Sequence, residues 1–99
     1  MTTSHQDQAA ATDRLRRALL AFQDAQRHLL LAHRRMKSQS AKEVDAFWLE
    51  GGGALERQVQ VAAAEVIIAF KAFSKAGLVA RTEDRHSVTE AERCLAEHK

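Results

Sequence analysis

Few residues in this 99-residue chain are of the kinds that do covalent or metal chemistry. Cys94 and His98 stand four apart near the C-terminus, a separation that puts two ligands on one face of a helix. No second pair accompanies them at a familiar distance, so no zinc site is expected. His28 and His33 are five apart and do not share a helical face well. No serine or cysteine stands with a histidine and a carboxylate in a recognisable nucleophile motif. Asp13 with Arg17, and Glu90 with Arg93, are ordinary helix-surface neighbours. Gly51-Gly52-Gly53 is followed by no lysine with serine or threonine and is preceded by no strand, so it reads as a connector rather than a phosphate cradle. With no cofactor fingerprint either, the residues point to a protein that is not an enzyme and works by binding.

The elements that would present a binding surface are helical. The chain has no proline and 4 glycines, and its length allows one domain with one modest core, a size often stabilised by pairing with a second copy. Formal net charge is +2, too small to imply nucleic acid by itself. The charge is unevenly spread: Arg14, Arg16, Arg17, Arg27, Arg34, Arg35 and Lys37 face only Asp13 and Asp24 in that stretch. A single cysteine allows no internal disulfide. The apolar run after Arg16-Arg17 stops at Gln23-Asp24, too soon for an export signal, and nothing reaches membrane-spanning length. The expected location is cytoplasmic.

Residues 1–7 are polar, without periodicity, and are expected to fray. A long helix is expected over 8–38. In it Leu15, Leu19, Phe22, Gln26, Leu29, His33 and Met36 step by fours and threes, the spacing of a heptad seam. Gln26 and His33 would fix the register of that seam, and the helix is read as a homodimerisation element. Leu20, Leu30 and Leu31 lie off the stripe and indicate a second contact surface. Ser40-Ala41-Lys42-Glu43 fits a capping box. A short helix to Leu49 follows, ended by the glycines. A helix over Ala54–Val59, a break near Gln60-Val61-Ala62, and a second helix carrying Val66, Phe70 and Phe73 come next, closed by Gly77. Leu78–Arg81 and His86–Val88 read as two short strands around a polar turn. Thr89-Glu90-Ala91-Glu92 reads as a capping box opening a last helix.

This order of elements over residues 40–99 resembles the winged helix-turn-helix of bacterial transcription regulators, most nearly the MarR type. The residues that carry the resemblance are Glu56–Val61 as first helix and turn, then Val66, Phe70 and Phe73 as buried positions. Ala76-Gly77-Leu78-Val79 would lead into the wing and Val88-Thr89-Glu90-Ala91 out of it. The resemblance implies a mostly α fold with a small β-wing, and a homodimeric regulator that binds double-stranded DNA. Its second helix would enter the major groove and its wing would touch phosphates. Carried over by position, the groove-facing residues would be Ala62, Ala63, Ala64, Glu65, Ile67, Ile68 and Lys71, with Arg81 and Arg85 in the wing. Some such regulators bind small effectors between their dimerisation helices and the motif; Phe22, Phe47 and Trp48 could line such a pocket, and core packing explains them equally well.

The groove face is poor in base-reading groups. Alanine reaches only a thymine methyl, and Glu65 repels phosphate. Ile67 and Ile68, if outward, suit a protein partner better. The alternative is therefore a winged-helix or helical protein-interaction module that has lost sequence-specific DNA reading. Gln60 where a tight turn favours glycine, and Ala62 where a cap favours serine or threonine, leave a plain helical arrangement without a wing open as well.

Overall fold

A computed structural model describes residues 5–97 of the chain. Four α-helices account for most of them: α1 (His5–Met36), α2 (Ala41–Phe47), α3 (Gly53–Lys75) and α4 (Thr82–Glu97), with a π turn over Trp48–Gly52. There is no strand among the described residues. The expected β-wing is absent, and with it the winged-helix fold and the MarR-type assignment.

Each departure has a local cause. The residues expected to break at Gln60–Ala62 contain neither glycine nor proline. Their apolar stripe runs through without a phase change: Val59, Ala63, Val66, Ala69 and Phe73 are all buried on one helix of 23 residues. A helix-turn-helix needs a turn there, and α3 supplies none. Of the expected wing, Leu78–Arg81 is the irregular connection before α4, and the turn and second strand are the first half of α4. Glu83 and Asp84 sit in its first turn, where carboxylates favour the helix dipole. Arg85 N–H donates to the Arg81 carbonyl at 3.0 Å, and Arg81 pairs with Asp84 at 3.5 Å. The Ser87 and Thr89 hydroxyls donate to the carbonyls of Glu83 and Arg85, four residues back. Thr89 is thus a helix-interior residue and caps nothing. Val88 and Ala91 are the buried positions of α4.

The glycine triplet does not end a helix either. Trp48, Gly52 and Gly53 all have right-handed helical dihedrals, and Gly77 (φ 83°) is the one positive-φ residue among those described. From Ala41 to Lys75 the chain therefore runs as one helical rod interrupted by the π turn. Gly52 is buried because the Trp48 indole lies over it: a Cβ there would sit 2.7 Å from Trp48 Cδ2.

Two expected caps are present. Ser40 Oγ accepts from Glu43 N–H at 3.3 Å. At the end of α3, Gly77 N–H donates to the Ser74 carbonyl (3.0 Å) and Leu78 N–H to that of Phe73 (3.3 Å). That is the double bond pattern of a Schellman motif, with Leu78 packing on the core beside it. At the N-terminus, residues 1–4 of the segment expected to fray lie outside the described residues, and His5–Asp7 are helical.

The rod folds back on α1 as an antiparallel hairpin. Gln8 Nε2 donates to the Ala76 carbonyl (3.2 Å), Arg14 pairs with Glu65 (2.9 Å), and His33 packs against Trp48 (4.8 Å between centroids). α4 then packs mainly on α3. The core gathers Leu15 to Ala25 of α1, Val59 to Phe73 of α3, and Val88 and Ala91 of α4. Phe22 and Val66 are its largest fully buried side chains.

Candidate functional site

The seven positions read as a dimer seam divide between two environments. Leu15, Leu19 and Phe22 are buried in the chain's own core, and Leu29 packs against it. They are covered by α3 and α4, so a second copy has no access to them. Gln26 is half-buried and lines one hollow with His33 and with Cys94 and Glu97 of α4; Met36 lies a turn further along α1.

The positions read as groove-facing do not form one face. Ala63 is fully buried, and Ala62 and Ile67 pack against the core. Ala64 is half-buried. Glu65 accepts from Arg14 Nε at 2.9 Å and so ties α3 to α1. That hydrogen bond, then the carboxylate's charge, raises the Arg14 pKa above its ordinary value. Only Ile68, 52% exposed, and Lys71 point outward. Arg81 pairs with Asp84 before α4, and Arg85 lies on α4 near Thr82, His86 and Thr89. Nothing in this arrangement delivers a set of hydrogen-bonding groups to base edges. The expected effector pocket is not assembled: Phe22 is in the core, while Phe47 and Trp48 lie beyond His33, about 16 Å further along α1 at its helical rise.

The surface that stands out carries two of the off-stripe leucines, Leu30 and Leu31. Beyond the core, the end of α1, then α2, the π turn and the start of α3 project as a two-limbed arm. The molecule is accordingly 59 Å long and about 20 Å wide in its other directions (22 and 19 Å). Its radius of gyration is 16.6 Å, against about 13 Å for a globular chain of this size.

No residue of α2 is buried, and α2 packs on the π turn but scarcely on α1. Trp48 fills the wedge between the limbs, packed at a 42° tilt against His33 and edge-on to Phe47 at 5.0 Å. Leu49 is 87% exposed, with Leu30 and Leu31 about half so (49% and 51%). The net charges of the two limbs are opposite, with Lys42 on α2 offsetting one of its acids. Arg34, Arg35 and Lys37 lie at the end of α1 and its turn, while Glu43, Asp45 and Glu50 lie on α2 and the π turn. None of these six has an ion-pair partner among the described residues.

Cys94 is half-buried on α4 and forms no disulfide. Burial first, and the charge of Glu97 second, push its thiol pKa up. His98, its sequence neighbour in the ligand reading, lies outside the described residues. Among those described, no group of three metal-ligating side chains is assembled, and no helix is long and apolar enough to cross a membrane. Comparison of the chain with protein-family models, with curated proteins and with solved structures gave no match.

Proposed function

We propose that this protein is a non-catalytic helical interaction module of the cytoplasm that self-associates through its arm. The observation that carries the reading is the arm itself: two helical limbs outside the core, with Leu49 87% exposed and no residue of α2 buried. α2 continues through the π turn into α3, so what it lacks is cover for its exposed face, and each leucine removed from water contributes about 1.5–3 kcal/mol.

A second copy supplies what the arm lacks. Two arms related by a twofold axis set the Arg34, Arg35 and Lys37 limb of one against the Glu43, Asp45 and Glu50 limb of the other. Closed twofold pairing is the commonest symmetry among homo-oligomers. The four limbs then form a short bundle around Trp48 and the leucines. Exposed ion pairs add only about 0–1 kcal/mol each, so they set the orientation of the pair while apolar burial supplies its affinity.

Sedimentation equilibrium tests this. The expected result is twice the 11.0 kDa chain mass for the native protein, and the single-chain mass for Leu49→Asp, which replaces a side chain with few packing contacts to lose. A native protein that stays at single-chain mass at all attainable concentrations would overturn the reading. A random-sequence duplex titrated in parallel is expected to show no salt-steep binding.

A further inference from the structure

A second surface, away from the arm, has the make-up of a small-molecule site. A cavity of about 340 Å³ opens between α1 and the connection from α3 to α4. Leu15, Leu19 and Phe73 line it from the core, each under a tenth exposed. Leu20, 60% exposed, and Val79, 86% exposed, come to it from different elements. Exposed aliphatic side chains on separate elements lining one cavity are unfavourable in water and favourable against an apolar ligand.

The polar lining is donor-rich. Arg16 has no ion-pair partner among the described residues. Arg81 uses Nε toward Asp84 and stays 78% exposed, leaving its terminal N–H groups available. Gln23 adds a neutral donor, the Thr12 hydroxyl is already given to the Gln8 carbonyl (2.8 Å), and Asp84, the one acidic group in the lining, already faces Arg81. The site thus pairs an apolar wall with two guanidinium groups, which bind carboxylates through paired, charge-assisted hydrogen bonds.

We propose that this cavity binds a free medium-chain aliphatic carboxylate. Its chain would lie over Leu19 and Phe73 between Leu20 and Val79, and its head would meet Arg16 and Arg81. Size sets the chain length: at about 30 Å³ per water-sized group, the cavity holds roughly eleven such groups. An eight-carbon acid fits that volume. No residue of the cavity belongs to the arm, so this site stands whether or not the chain self-associates.

The test is a titration of the full chain with octanoate below its aggregation threshold, read by amide NMR shifts. Octan-1-ol serves as the uncharged control. Saturable shifts clustered at Leu20, Phe73 and Val79 are expected, with octan-1-ol binding at least tenfold more weakly. Arg16→Gln with Arg81→Gln should weaken octanoate at least tenfold, and Val79→Asp should abolish it. All three replaced side chains are exposed, so the fold is kept, and circular dichroism checks that. Equal binding of acid and alcohol, undiminished binding to the arginine variant, or no saturable shift at the cavity would each overturn the assignment.

Discussion

Replacing adjacent glycines by alanine should move stability in opposite directions. Alanine in a helix interior is favoured over glycine by about 0.5–1 kcal/mol, because the unfolded glycine chain has more freedom to lose. At Gly51 a new Cβ meets nothing within 4 Å, and the backbone is not in the left-handed region. The full gain is therefore expected, a rise in melting temperature of about 2–8 °C for a domain this size. At Gly52 the same Cβ would sit 2.7 Å from Trp48 Cδ2 and Cζ3, so the indole must leave its place and its packing against His33 (4.8 Å) is lost. Overpacking of this kind costs about 1–3 kcal/mol, and an aromatic pair is worth about 0.5–1.5 kcal/mol. The cost exceeds the helix gain, and a net loss of roughly 0.5–4 kcal/mol follows. Trp48 is the only tryptophan, so its emission reports the displacement directly. Thermal unfolding followed by circular dichroism and fluorescence, at one fixed protein concentration, gives both readings. Gly52→Ala as stable as Gly51→Ala, with unshifted emission, would refute the packing of the indole over the π turn.

Phe22→Ala empties a fully buried site and is expected to cost about 3–5 kcal/mol in urea unfolding; a loss below about 1 kcal/mol would place Phe22 outside the core. Because burial raises the Cys94 pKa, the folded state holds that proton more tightly than the unfolded chain. Its contribution to stability is full below the ordinary value of 9.0 and is lost as the pH rises from there through the folded value. Urea midpoints at about pH 8 and about pH 10 should therefore fall further for the native protein than for Cys94→Ser, and equal falls would show that the thiol is not held protonated.

Some features were legible because one residue decides them. Gly77 is where a left-handed C-cap is needed, and Ser40 three residues before Glu43 is where an N-cap is needed. Features resting on the order of several weak signals were misread. Leu78-Val79 is apolar, and Thr82–Arg85 is polar, which fits a strand and a turn. The same polar residues, with acids first, are also a helix first turn. What decides between them is that Asp84, Val88, Ala91 and Leu95 recur at helical spacing. The glycine triplet carried the opposite conflict. Its local preference is to stop a helix, but Trp48 stands four residues before Gly52, and neighbours at that spacing share a face. The space glycine leaves is what the indole occupies, and tertiary fit overrides propensity.

The heptad stripe on α1 shows a different limit of sequence reading. Its spacing states that one face is covered, and it does not state by what. Leu15 to Met36 spans 21 residues, about 32 Å of helix. The matching core stripe on α3, Val59 to Phe73, spans 14 residues, about 21 Å. The chain can therefore cover the first two-thirds of its own seam, and it does so with α3 and α4 at Leu15, Leu19, Phe22 and Leu29. The remaining third, with His33 and Met36, is left to α2 and the π turn, which bring Trp48 to His33 but bury none of α2. That shortfall of about 10 Å is the arm. On the proposed reading, a stripe longer than its internal partner puts the self-association surface at the far end of α1, where the unpaired charges of opposite sign are found among the described residues.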